Sequence, residues 1–240
     1  MLGVAAMARI PDNTRIYAIG DIHGRADLLA ALLGQIEADD KARPPVATRL
    51  VFLGDYIDRG PDSYGVIELL LKGLPAGMGA DFLMGNHEQM MLDALAEDWR
   101  MPLWLRNGGG AAVLSYTRAA RERGENAGPW SDITGIVPAV HLAFLAGLKV
   151  LIEYGDYAFV HAGIQPGTDL HTQDPHDLVW MREPFLSYGG SFGKIIVHGH
   201  TPVEAPEIRH NRIGIDTGAV FTGRLTALVL EGDTRAFLST

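Results

Sequence analysis

Residues 15–19 form a short apolar run that stops at Gly20, and the pattern predicts a buried strand. Leu28, Leu29, Leu32, Leu33 and Ile36 follow at helical spacing and predict a helix with one apolar face. Residues 49–53 predict a second strand, and Ser63 an N-cap for a helix through Leu71. Residues 81–84 predict a third strand and 87–97 a third helix. Strand and helix alternating three times imply a parallel sheet with right-handed crossovers.

The rhythm breaks between 98 and 140. Trp99, Trp104 and Trp130 fall there with Gly108-Gly109-Gly110, and residues 117–134 are polar and glycine-rich. This segment is expected to be an inserted helical cap followed by a loop, either peripheral packing or a lid over a substrate. Residues 149–154, 157–160, 194–197, 212–215, 225–230 and 235–238 then read as strands, with Gly155-Asp156 as a hairpin turn. They are expected to build a second sheet packed on the first. The expected fold class is α/β, with residues 1–240 as one domain and no separating linker.

Composition narrows the chemistry. The 240 residues carry 20 Lys and Arg against 29 Asp and Glu, a net charge of −9. No basic excess exists to replace phosphate counterions, which argues against a nucleic-acid polymer, and none to bind anionic lipid. The absence of cysteine excludes disulfides, thiol nucleophiles and thiolate metal sites. The 47 % apolar content suits a globular chain. No apolar run approaches the roughly 18 residues of a membrane span. The start, 1–8, lacks a basic region before its apolar residues, so a soluble, cytoplasmic protein is expected, with a frayed prefix and Met7 as an alternative start.

The polar residues gather at predicted strand ends. The first strand ends in Gly20-Asp21-Ile22-His23-Gly24, the second in Gly54-Asp55-Tyr56-Ile57-Asp58-Arg59-Gly60, the third in Gly85-Asn86-His87-Glu88. The steps from Asp21 to Asp55 and from Asp55 to Asn86 are 34 and 31 residues, each one βαβ unit. Later strands end in His161-Ala162-Gly163 and His198-Gly199-His200-Thr201. Carboxyl ends of parallel strands are where open α/β sheets place their sites. The resulting oxygen and nitrogen donors suit Mn, Fe, Zn or a similar divalent ion, and six of them suit two ions sharing one carboxylate.

These five motifs resemble those of the calcineurin-like metallophosphoesterases, and more closely the phosphoprotein phosphatase branch with its small bacterial and lambda-type serine/threonine phosphatases. The resemblance runs from Gly20 to about Gly218. It implies two packed β-sheets flanked by helices, with the site at the strand carboxyl ends. It makes Asp21 and His23 ligands of one metal, Asp55 the bridge, and Asn86, His161 and His200 ligands of the second. It implies two divalent ions, Mn2+ foremost, with Fe/Zn pairs suiting the same set. It implies direct attack by a metal-bridging hydroxide, with His87 as general acid oriented and raised in pKa by Asp58. Asn86 and the planar fork of Arg59 would face the phosphate, joined by Arg182 in Trp180-Met181-Arg182-Glu183.

The expected substrate is a phosphoprotein or another small phosphorylated molecule, acted on by a serine/threonine phosphatase. The alternative is a symmetrical dinucleoside tetraphosphate hydrolase, and a third reading is a binding module that has lost catalysis. The ligand that would argue for the wider superfamily is absent, because Pro202 stands at that position. His198 is expected to hydrogen-bond beside the site. Glu88 is expected only to complement a helix dipole, and Asp216 to form a supporting turn. His141, His171, His176 and His210 are expected at the surface or in structural roles.

Overall fold

The computed structural model describes residues 8–128 and 133–240. The prefix 1–7 and Trp130 lie outside the described residues. β1 (Thr14–Ile19), α1 (Ala26–Ala42), β2 (Ala47–Phe52), α2 (Ser63–Lys72), β3 (Gly79–Phe82) and α3 (Asn86–Ala96) alternate as the periodicity predicts. The three strands pair in parallel, Ile19 opposite Phe52 and Phe52 opposite Phe82, so their carboxyl ends share one edge. Side chains alternate across β1: Tyr17 and Ile19 join α1's Leu29, Leu32, Leu33 and Ile36 in one core, while Ile16 and Ala18 enter another. The α2 cap differs from expectation. Asp62 is the N-cap, accepting from Gly65 N, because the Ser63 hydroxyl instead accepts Asp58 N at 3.0 Å.

The segment expected as a cap contains α4 (Met101–Trp104), a wide helical turn over Leu105–Gly109, α5 (Gly110–Glu122), α6 (Ile133–Ile136) and α7 (Ala139–Ala146). α5 runs into the stretch expected as loop, since Ala119 and Ala120 give its last turns a buried face. Trp104, Ala112, Tyr116, Ile133 and Leu145 belong to the same core as α1. The segment therefore packs into the body of the protein. His141 is buried there, with Nδ1 3.0 Å from Tyr116 Oη and Nε2 2.9 Å from Glu68 Oε1.

The remaining elements are β4 (Ile152–Tyr154), β5 (Tyr157–Phe159), α8 (Pro175–Trp180), β6 (Ile195–His198), β7 (Glu207–Ile208), β8 (Arg212–Gly214), α9 (Ala219–Thr222), β9 (Thr226–Glu231) and β10 (Thr234–Ser239). Among the described residues the strands form two five-stranded sheets, ordered β10-β9-β1-β2-β3 and β4-β5-β6-β8-β7. The expected second sheet is present, but β9 and β10 are not part of it. They return to the first sheet, where β9 pairs antiparallel with the other side of β1. β7 is too short to carry a sequence signal. Ile16, Ala18, Val51 and Leu53 pack with Phe159, Val197 and Ile213 between the sheets. Among the described residues, no helix is long and apolar enough to cross a membrane.

Candidate active site

The five motif loops hang on one another through hydrogen bonds given by backbone N–H groups. Ile22 N and His23 N donate to Asp55 O, and Gly24 N to Tyr56 O. The Glu88 carboxylate, fully buried, accepts from Asp55 N, Tyr56 N, Ile57 N and Gly85 N at 2.8 to 3.2 Å. Glu88 thus ties the second motif to the third, more than the dipole role expected of it. On the other sheet Gly199 N donates to His161 O, and His200 N reaches across to Asp21 Oδ2 at 3.0 Å. Among the described residues, six non-glycine residues hold positive φ, and all but Asn13 belong to these motifs: His23, Asp55, Asp58, Arg59 and His200. Such conformations cost free energy and persist where the surroundings over-determine them.

Two of the histidines turn Nε2 to the centre. His23 Nδ1 donates to Ile57 O and His161 Nδ1 to Leu53 O, so each turns Nε2 toward Asp55. Asp55 stands between them, with Oδ2 3.5 Å from His23 Nε2 and Oδ1 3.4 Å from His161 Nε2. Asn86 Oδ1 lies 3.1 Å from His161 Nε2 and 2.9 Å from His200 Nδ1. Two donor clusters result, one of His23, Asp55 and His87, the other of Asp55, His161 and His200. They share Asp55. Asp21 falls outside the first cluster because its Oδ2 turns to His200 N, while its buried Oδ1 has no partner. His200 Nε2 is likewise buried and unpartnered. Carboxylate, amide and imidazole donors, with buried unpartnered atoms among them, fit a pair of divalent ions.

The electrostatics agree. Burial, and then Asp216, push Asp21 well above the usual carboxylate range. Burial also works against the Asp55 carboxylate, but His161 and His87 outweigh it and hold Asp55 well below that range. Burial pulls His161 down, yet Asp55 and Asp21 outweigh it and push it up to about 10. A cation among these groups removes the need for protons on them.

Asp58 and His87 form a buried pair, Oδ2 to Nδ1 at 2.8 Å, and His87 Nε2 has no partner. The expectation that Asp58 raises the His87 pKa is not met. Burial pulls His87 down to about 4, opposed chiefly by Asp55, and burial also pushes the Asp58 carboxyl well above its usual range. Asp55, Arg59, Asn86, Arg182 and His200 line one cleft of about 290 Å³, with Pro202 and Phe221. Arg59 Nη1 donates to His23 Nε2 at 2.7 Å, so it competes for the lone pair that a metal would take. His198 donates Nδ1 to Gly199 O and accepts from Arg212 at Nε2, outside both donor clusters. Asp216 closes its own turn through Gly218 N. Sequence reasoning missed Phe221, which is 74 % exposed at the cleft mouth. A lone aromatic in a short helix carries no periodic signal.

Two sheets delivering metal-type donors from parallel strand ends, around a cleft with two arginines, define a metal-dependent phosphoesterase site. Residues 14–224 match the family described as calcineurin-like phosphoesterase, and the chain belongs to it. Among curated proteins it is 33 % identical to serine/threonine-protein phosphatase 1 of Salmonella typhimurium, covering 88 % of this chain and 89 % of that one. It is 31 % identical to the asymmetrical bis(5'-nucleosyl)-tetraphosphatase PrpE of Anoxybacillus flavithermus, covering 88 % of each. Among solved structures, the cold-active protein-tyrosine phosphatase of a psychrophilic Shewanella superposes with a TM-score of 0.58 at 20 % identity, over 96 % of this chain and 83 % of that one. That likeness shows the fold. The family is dimetal-dependent.

Proposed function

We propose that this metallophosphoesterase hydrolyses phosphomonoesters, with phosphoserine and phosphothreonine in proteins as its substrates. The observation that carries this reading is the Asp58–His87 pair, whose unpartnered Nε2 stands in the donor cluster with His23 and Asp55. An alkoxide leaving from a phosphomonoester needs a proton, and a buried histidine oriented through Nδ1 can deliver it. Asp21, His23, Asp55, Asn86, His161 and His200 are the residues that would hold two divalent ions, Mn2+ foremost. Such ions supply Lewis acidity to the phosphoryl oxygens and acidify water. Arg59 and Arg182 orient the phosphate at the cleft mouth with planar N–H donors. The phosphate dianion beside His87 supplies the negative charge that favours its protonated form. No step uses Glu88, whose oxygens are taken by backbone N–H groups.

A second reading is hydrolysis of dinucleoside polyphosphates. The exposed ring of Phe221 beside the two arginines offers an aromatic face for a base next to a phosphate chain. The PrpE relatives support it, although they are of the asymmetrical kind and the sequence-based alternative was the symmetrical one. The test restores Mn to metal-stripped protein and compares kcat/KM for a phosphoserine peptide and for diadenosine tetraphosphate. A preference for the peptide is expected; a preference for the dinucleotide would replace the first reading with the second.

A further inference from the structure

Trp104 and the glycine run after it have no part in the chemistry so far. Trp104 is fully buried, and its Nε1–H donates to Asp58 Oδ2 at 2.8 Å. The same oxygen accepts His87 Nδ1–H at 2.8 Å, while Asp58 Oδ1 has no partner. One carboxylate oxygen is therefore pinned between two N–H donors, one from the acid and one from the inserted segment. The segment also grips the next residue, since Arg59 N donates to Gly108 O at 3.1 Å. Asp58 and Arg59 hold φ values of 71° and 64°, so their loop needs such outside support. Gly108 has φ 108°, and a Cβ there would lie 2.7 Å from Arg59 Cγ. Gly109 packs against the Trp104 ring, where a Cβ would meet Cε2 at 2.5 Å. The two glycines let the 105–109 turn settle against both the indole and Arg59.

Resting on the reading of Asp58 and His87 as the acid pair, we propose that Trp104 is a positioning residue for leaving-group protonation. Its indole N–H fixes the Asp58 carboxylate in the orientation that aims His87 Nε2 at the departing oxygen. Trp104 does not line the phosphate cleft. A purely structural indole would fill the core equally well without its N–H.

The test uses the full chain loaded with Mn and a series of aryl and alkyl phosphates of increasing leaving-group pKa. Trp104→Phe keeps a buried ring and removes the N–H. It is expected to slow alkyl phosphates about tenfold while leaving 4-nitrophenyl phosphate, which needs little protonation, within about twofold. KM is expected to stay close to wild type. Should Trp104→Phe fold poorly, incorporation of 3-benzothienylalanine at position 104 keeps the bicyclic shape and lacks the N–H. In the His87→Asn background the same change is expected to add nothing. Equal loss for every leaving group, no loss for any, or additivity with His87→Asn would overturn the proposal. His87→Asn alone tests the acid pair: if it leaves the leaving-group dependence unchanged, that reading fails and the role of Trp104 falls with it.

Discussion

Glu88 holds the backbone N–H of Asp55 at 2.8 Å, from a position with no access to solvent. The same carboxylate takes three further backbone N–H groups, so a side-chain amide at this place would turn N–H donors against N–H donors. Glu88→Gln is expected to cost about 2 kcal/mol or more of stability, read from denaturant melts. It is also expected to weaken metal retention, because the Asp55 loop loses its anchor.

Asp55 faces both donor clusters, one oxygen to each. Asp55→Asn is expected to lower the metal content of purified protein below two ions and to reduce kcat by at least about a hundredfold. Full turnover with full metal content would remove Asp55 as the bridge.

His87→Asn should separate from this. It is expected to retain both ions and a near-normal KM while kcat falls about a hundredfold. Loss of an ion in this variant would instead make His87 a ligand, as its place beside His23 and Asp55 permits.

Phe221 should matter to a base and not to a bare phosphate. Phe221→Ala is expected to lower kcat/KM for diadenosine tetraphosphate about tenfold, the scale of one base stacked on an aromatic ring. Turnover of 4-nitrophenyl phosphate should stay within about twofold. Equal effects on both substrates would rule out stacking.

His141 gives a pH dependence far from the metal donors. Burial holds it below its ordinary value of 6.5, although Glu68 pulls the other way. The unfolded chain therefore takes up a proton here before the folded chain does. The stability linked to His141 is present above pH 6.5 and is lost as the pH falls below it. Wild-type protein should show a thermal midpoint that declines from pH 7.5 to 5.5, and His141→Phe a lower midpoint with a shallower decline.

The parallel part of the first sheet was legible because β1, β2 and β3 each join an apolar run to a glycine-flanked polar motif, and one βαβ unit separates them. The ligand-type residues were legible from the same pairing of apolar run and glycine-flanked motif, which recurs at His161 and His200. Other features depend on distant partners. The hairpin of β9 and β10 has the same apolar pattern whichever sheet it joins, and only the free side of β1 decides. Glu88 looks like any acidic residue in a first helical turn until the N–H groups of the neighbouring loop are placed over it. Asp62 and Ser63 are both good caps, and the choice fell to the residue whose oxygen was not already taken by Asp58. Trp104 reads from sequence as part of an inserted cap, and its partner lies 46 residues earlier.

The return of β9 to the free side of β1 bears on how the protein is made. Thr226 leaves the ribosome 207 residues after Ile19. At roughly 5–20 residues per second, that is about 10–40 s of synthesis during which β1 has an unpaired edge. Asp21 and His23 sit at the end of that strand, and His161 and His200 emerge late in the same interval. All six donors are thus synthesised before β9 closes the free edge of β1.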